Sequence, residues 1–167
     1  MKIYLLGFMG AGKSYWGKQL ADHWGLPFYD LDDVIVETEE MAIADIFATK
    51  GEDYFREKES LLLRELSKQD NFLISCGGGT PCFQENMDFM NSNGTTIWIN
   101  PSLETMADRL KRKKQKRPLI ADLEDEDLEG FIEKKLAERL PFYQQSRHII
   151  TSDNITLDTF TEKLGHA

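Results

Sequence analysis

Residues Gly7 to Ser14 read Gly-Phe-Met-Gly-Ala-Gly-Lys-Ser, the GxxxxGK[ST] spacing of a phosphate-binding loop. The loop follows the apolar run Ile3-Tyr4-Leu5-Leu6 and leads into Tyr15-Trp16-Gly17-Lys18-Gln19-Leu20-Ala21, so its context is strand, glycine-rich loop, helix. Glycines let backbone N–H groups crowd around phosphate oxygens, and the helix N-terminus adds partial positive charge. Lys13 belongs on the β- and γ-phosphates, and the Ser14 hydroxyl on Mg²⁺. The plain alternative, a glycine-rich turn that binds nothing, does not account for that flanking context. The loop implies a bound nucleoside triphosphate.

Three further groups of residues could do chemistry beside it. Asp30-Leu31-Asp32 puts two carboxylates one residue apart after a short apolar run. In an extended segment they share a face, so one could serve Mg²⁺ and the other an attacking hydroxyl. The competing reading is a helix N-cap at Asp32 or Asp33. The run Phe72-Leu73-Ile74-Ser75-Cys76 ends without the aspartate that usually assists a P-loop metal, which leaves Asp30 as the substitute. Gly77-Gly78-Gly79 follows that run and suits close approach of a ligand to bare backbone or an anion nest, against the alternative of a tight turn. Arg56, Arg117 and Arg139 are surface charges by default. Arg117 precedes Pro118, and Arg139 lies just before Pro141; these prolines restrict the local backbone and suit positioned guanidinium groups. Such groups could meet phosphate or a substrate carboxylate. Phe47, Phe55 and Phe89 fall on apolar helix faces and are core by default. His23, His148 and His166 are scattered and suggest neither a metal site nor a triad.

The elements that must hold these residues alternate along the chain. Strands are expected at Lys2–Leu6, Pro27–Asp30, Phe72–Cys76, Thr95–Ile99 and His148–Thr151. Helices are expected at Lys13–Trp24, Asp33–Glu40, Ile43–Thr49, Asp53–Lys68, Gln84–Asn93, Leu103–Lys113, Asp125–Arg139 and Leu157–Leu164. Strands separated by helices predict a parallel sheet in a three-layer α/β domain, with ligands beyond the carboxyl ends of the strands. The basic run Lys111–Arg117 and the acidic run Asp122–Asp127 read as an excursion that closes over nucleotide, rather than a nucleic-acid patch or a solvated helix end. The length of 167 residues fits one domain on the usual scale of about 100–200 residues. The net charge of −9 argues against a general nucleic-acid binder. Cys76 and Cys82 are the only cysteines and lack zinc-site spacing, so a reduced cytoplasmic setting is expected. No apolar stretch approaches the roughly 20 residues of a membrane span.

Taken in order, these pieces resemble the shikimate kinase family over nearly the whole chain. The resemblance is carried by Gly7–Ser14, Asp30-Leu31-Asp32, Ile43–Phe47 leading into Gly51–Arg56, Gly77–Gly79, Arg117-Pro118-Leu119 and Arg139–Tyr143. It implies a nucleoside-monophosphate-kinase-like fold with a five-stranded parallel sheet of order 2-3-1-4-5. It also implies transfer of the ATP γ-phosphoryl group to the 3-hydroxyl of shikimate, with Mg²⁺, by a cytoplasmic monomer that uses neither nucleic acid nor membrane. Residues of about 32–60 would bind the acceptor and about 111–124 would form a lid, within one domain covering 1–167. By that analogy Asp32, Arg56, Arg139 and Gly77, Gly78 and Gly79 hold shikimate. Asp32 serves as base, and Phe47 and Phe55 line the pocket. Gly10, Ala11, Gly12, Lys13, Ser14, Tyr15, Arg109 and Arg117 hold the nucleotide, with Lys13 and Arg117 also catalytic; Ser14 and Asp30 serve the metal. Tyr15 stands where a threonine is usual, and Thr80-Pro81 where a small residue and valine are common. The enzyme alternative is another P-loop kinase, of gluconate or of a nucleoside monophosphate. A regulatory P-loop protein would need an interaction domain for which no residues remain.

Overall fold

The structure is a computed structural model, which describes residues 1–113 and 120–165. Its elements run β1 (Lys2–Leu6), α1 (Lys13–Trp24), β2 (Phe28–Asp30), α2 (Leu31–Glu39), α3 (Ile43–Lys50), α4 (Glu52–Leu66) and β3 (Phe72–Ser75). They continue with α5 (Asn86–Asn93), β4 (Thr95–Ile99), α6 (Leu103–Lys113), α7 (Asp125–Tyr143), β5 (His148–Ile150) and α8 (Leu157–Leu164). The five strands form one sheet of order β2-β3-β1-β4-β5, and every pairing is parallel.

Because a strand turns successive side chains to opposite faces, β1 divides its residues between two cores. Ile3 and Leu5 pack with Leu20 and Ala21 of α1, Met106 and Leu110 of α6, Ile132 of α7 and Phe160 of α8. Tyr4 and Leu6 pack with Leu31 and Ile35 of α2, Ile46 of α3, Phe55 and Leu63 of α4, and Met90 of α5. Burial on both faces is why the central strands read as unbroken apolar runs rather than alternating ones. The result is the three-layer arrangement expected, with the expected strand order.

The helix boundaries differ in three informative places. α2 starts at Leu31, two residues early, because Asp30 is its N-cap: Oδ1 accepts from the backbone N–H of Asp32 at 3.0 Å and of Asp33 at 3.3 Å. Asp30 and Asp32 therefore do not share a strand face. One ends β2 and caps, and the other sits in the first turn of α2. α5 starts late, at Asn86. Thr80–Cys82 forms a 3₁₀ turn, and Gln84 and Glu85 both take positive φ, 53° and 57°, which a helix does not admit. α7 passes through Pro141 and ends at Tyr143 instead of Arg139. A proline in the last turn removes only one terminal hydrogen bond, and Tyr143 anchors the extension. Its ring is fully buried 5.3 Å from Trp98, and its hydroxyl donates to the Gly78 carbonyl at 2.5 Å.

In register, Ser75 of β3 is level with Asp30 of β2 on one side and Leu5 of β1 on the other. The loops leaving these three neighbouring strands therefore open side by side at one edge of the sheet, where ligands of open α/β sheets bind.

Candidate active site

The loop after β1 turns into α1 at Gly12, whose φ of 98° is left-handed and would strain any residue with a Cβ. Lys13 opens the helix, and its ammonium donates to the carbonyls of Gly7 at 2.7 Å and Phe8 at 3.1 Å, across the loop. Ser14 Oγ donates to Asp30 Oδ2 at 2.9 Å, which joins the loop of β1 to the end of β2. Arg109 reaches in from α6 and donates to the Gly10 carbonyl at 3.0 Å. A cavity of about 570 Å³ runs over this surface, from Gly77, Gly78 and Asp32 at one end to Arg109, Asp153 and Ile155 at the other. Tyr15 is on its rim, 62 % exposed and edge-on to Trp16 at 5.1 Å between centroids.

The acceptor end is built around a buried carboxylate that the sequence reading missed. Glu59 is 1 % exposed, accepts from Arg56 Nη1 at 2.9 Å and from Thr80 Oγ1 at 2.8 Å, and so ties α4 to the loop after β3. The only local signal for it is its position three residues after Arg56, on the same helix face. Burial raises the pKa of Glu59, while Arg56 opposes the rise. Asp32 lies beside it. A Cβ at Gly77 would stand 3.0 Å from Asp32 Oδ1 and 3.4 Å from Glu59 Oε2. Burial, reinforced by the negative charges of Asp30 and Glu59, pushes the Asp32 carboxyl up to about 6, against the pull of Lys13 and Arg56.

The two arginines face the glycine loop from opposite helices. A Cβ at Gly79 would stand 2.6 Å from Arg56 Nη2, and one at Gly78 would stand 2.8 Å from Arg139 Nη1. An added Cβ at 78 or 79 would thus press on the flexible ends of these arginines, a contact that stands beside the ligand and turn readings of the sequence. Arg139 lies 5.2 Å over the Phe8 ring, and its Nη1 is buried with no hydrogen-bond partner among the described residues. Arg56 is flanked by Phe83 at 4.1 Å and Phe55 at 5.1 Å. Phe55 is buried in the core behind Arg56, with Phe47 4.8 Å from it, and neither belongs to the wall of the cavity. Arg117 and the 114–119 stretch of the expected lid lie outside the described residues, as does His166. Cys76 and Cys82 are free thiols.

One cavity thus runs from the phosphate loop to Asp32, Gly77 and Gly78, with Arg56, Glu59, Gly79 and Arg139 packed outside its wall. The sequence profile described as Shikimate kinase matches residues 9–166. The chain belongs to the shikimate kinase family. Among the family's curated members, the shikimate kinase of Bacteroides thetaiotaomicron is 41% identical over 155 residues, 93% of this chain and 89% of that one. That of Parabacteroides distasonis is 39% identical over 166 residues, 99% of this chain and 96% of that one. Among solved structures, the Bacteroides thetaiotaomicron shikimate kinase matches with a TM-score of 0.93 at 38% identity, covering 98% of each chain. The Acinetobacter baumannii shikimate kinase in complex with shikimate matches with a TM-score of 0.85 at 30% identity, covering 98% of this chain and 89% of that one. Family membership makes the chain an ATP-dependent kinase of shikimate, with the family's sheet order.

Proposed function

We propose that the chain moves the γ-phosphoryl group of ATP to the 3-hydroxyl of shikimate, giving shikimate 3-phosphate and ADP, with its two half-sites in distinct roles. The observation that carries the assignment is the single cavity holding Lys13 and Ser14 together with Asp32 and the Gly77–Gly78 loop. At the donor end, Gly10 to Tyr15 cradle the phosphates through backbone N–H groups, Lys13 bridges the β- and γ-phosphates, and Arg109 takes the base. At the acceptor end, Arg56 and Arg139 pair with the shikimate carboxylate, which would also satisfy the buried Nη1 of Arg139. Asp32 holds the hydroxyls, with the backbone of Gly77, Gly78 and Gly79 beside it, and Phe47 and Phe55 back this end of the pocket.

Asp32 is the base. The 3-hydroxyl oxygen bonds to the γ-phosphorus as the bond to the β–γ bridging oxygen breaks, the hydroxyl proton passes to the Asp32 carboxylate, and ADP leaves. A carboxyl held near 6 is ionised at neutral pH yet far more basic than an ordinary aspartate, which suits that transfer. Arg117, carried by the lid, meets the charge on the transferring phosphoryl group. A hydroxyl and a carboxylate 2.9 Å apart, Ser14 and Asp30, are hard oxygen donors of the kind Mg²⁺ takes alongside phosphate oxygens and water, so the residues present fit that ion. When bound, it would neutralise phosphate charge.

Both half-sites come from one chain, which supports a monomer working alone. The net charge of −9 favours neither nucleic acid nor an anionic membrane surface, and two free thiols suit the cytoplasm. Among the described residues, no helix is long and apolar enough to cross a membrane. An ADP-release assay with shikimate, gluconate and nucleoside monophosphates as acceptors tests the assignment. Turnover is expected with shikimate alone, and a rate no higher with shikimate than with buffer would overturn it.

A further inference from the structure

Phe83 is not part of any motif, yet the turn that presents it is over-determined. Gln84 and Glu85, directly after it, hold consecutive left-handed conformations, with φ of 53° and 57°. Non-glycine residues keep such conformations only where their surroundings enforce them, and they concentrate at functional sites. Here the enforcement is visible on every side. Arg64 of α4 donates through Nη2 to the Gln84 carbonyl at 3.1 Å and through Nη1 to Asn86 Oδ1 at 2.7 Å. Asn86 donates from its backbone to the Phe83 carbonyl at 2.9 Å and from Nδ2 to the Thr80 carbonyl at 2.9 Å. Thr80 in turn donates to Glu59. What the turn delivers is the Phe83 ring, 4.1 Å from Arg56 Cζ, within cation–π range.

We infer that Phe83 is a positioning residue for the acceptor. Its ring and the Glu59 carboxylate, from the loop after β3 and from α4, grip the Arg56 guanidinium and aim it past Gly79. The division of labour follows from the chemistry of the two contacts. Glu59 occupies Nη1 by a charged hydrogen bond. An aromatic face attracts the cation without consuming a donor, and so leaves Nη2, the atom beside Gly79, open to an anion. Glu52, half exposed, stands 3.8 Å from Nε, and a further carboxylate at Nη2 in place of the ring would compete with the substrate's own. This inference rests on the reading that Arg56 pairs with the acceptor carboxylate.

The test is a double-mutant cycle on the full-length enzyme, read as KM for shikimate, KM for ATP, kcat and thermal midpoint. Phe83→Leu is expected to raise KM for shikimate about tenfold, a loss on the scale of a desolvated cation–π contact, with kcat and KM for ATP changed less than about twofold. Phe83→Tyr, which keeps the aromatic face, is expected to stay within about twofold of the unaltered enzyme on all counts. In an Arg56→Ala background the Phe83→Leu increment is expected to vanish. A full increment in that background, or an unchanged KM for Phe83→Leu alone, overturns the positioning role. A KM for shikimate unchanged by Arg56→Ala itself overturns the carboxylate reading beneath it, and the positioning role with it. Should Phe83→Leu fold poorly, the Tyr variant and Phe83→Met carry the same comparison.

Discussion

Arg139 carries a buried Nη1 with no hydrogen-bond partner among the described residues, at the position where a Cβ on Gly78 would collide. An unpaired guanidinium donor out of water is unfavourable, and an acceptor carboxylate removes that penalty. Arg139→Ala is therefore expected to cost roughly 2–4 kcal/mol in kcat/KM for shikimate while leaving ADP affinity unchanged; an unaltered kcat/KM would take Arg139 out of the site. Asp32, the proposed base, is the opposite case, a group that weakens the fold. Its carboxyl, raised to about 6 from 3.8 chiefly by burial, binds its proton more tightly folded than unfolded. Its contribution is thus most favourable below pH 4 and is lost as the pH rises through about 6. In the metal- and nucleotide-free enzyme, Asp32→Asn is expected to raise stability by about 1–3 kcal/mol at pH 7 and by almost nothing at pH 4, while abolishing turnover. Denaturant titrations at the two pH values check this, and an equal or lower stability of the Asn variant at pH 7 would contradict it. Asp30 and Asp32 stood out because they are close in the chain, but the strand-face reading of that spacing failed: one caps α2 and the other sits in its first turn. Glu59 left only its spacing of three residues from Arg56, and Phe83 left none, because it meets that guanidinium from a loop more than 20 residues away.

At the level of elements, the strands were legible nearly to the residue. A strand buried on both faces announces itself as an apolar run, and β1 and β4 coincide with theirs. Helix ends were less so, since they depend on caps and anchors. α7 was expected to end at Arg139, but it runs on through Pro141 to Tyr143, which is locked to Gly78 and Trp98. The glycines separate two kinds of close packing. Gly79 has φ −93° and ψ −7°, open to any residue, but an added Cβ would press on the end of the Arg56 side chain. Gly94, in extended backbone at the junction of α5 and β4, would press its Cβ on the rigid Lys2 carbonyl at 2.6 Å. Gly79→Ala is expected to raise KM for shikimate about tenfold or more with little loss of stability, because a flexible side chain yields but its aim is lost. Gly94→Ala is expected to lose about 1–3 kcal/mol of stability with KM unchanged. Thermal unfolding and steady-state kinetics on the pair check this, and the reverse pattern would refute the division.

For the molecule as a whole, the proposed donor and acceptor half-sites lie at the carboxyl end of one sheet, and the proposed lid lies between α6 and α7. Arg117→Ala is accordingly expected to lower kcat by about 10³-fold, the lower range for an arginine acting on the transferring group, with shikimate affinity nearly unchanged. Calorimetric titration of shikimate beside single-turnover rates checks this, and lost affinity with intact kcat would refute it. The lid was guessed from its charge runs alone, a compositional cue that fixes no geometry. By contrast, the order of the sheet was implied by the family resemblance, and it places β3 between β2 and β1. That placement makes the sheet a ruler. Neighbouring parallel strands stand about 4.8 Å apart, so the glycine loop that receives the acceptor is one strand spacing from the loop that carries the donor. The spacing of the two loop origins is therefore set by backbone hydrogen bonding. Selection could exchange the proposed acceptor-contacting residues on α2, α4, α7 and the loop after β3 for those suited to another alcohol, and the spacing of the two loops would stay.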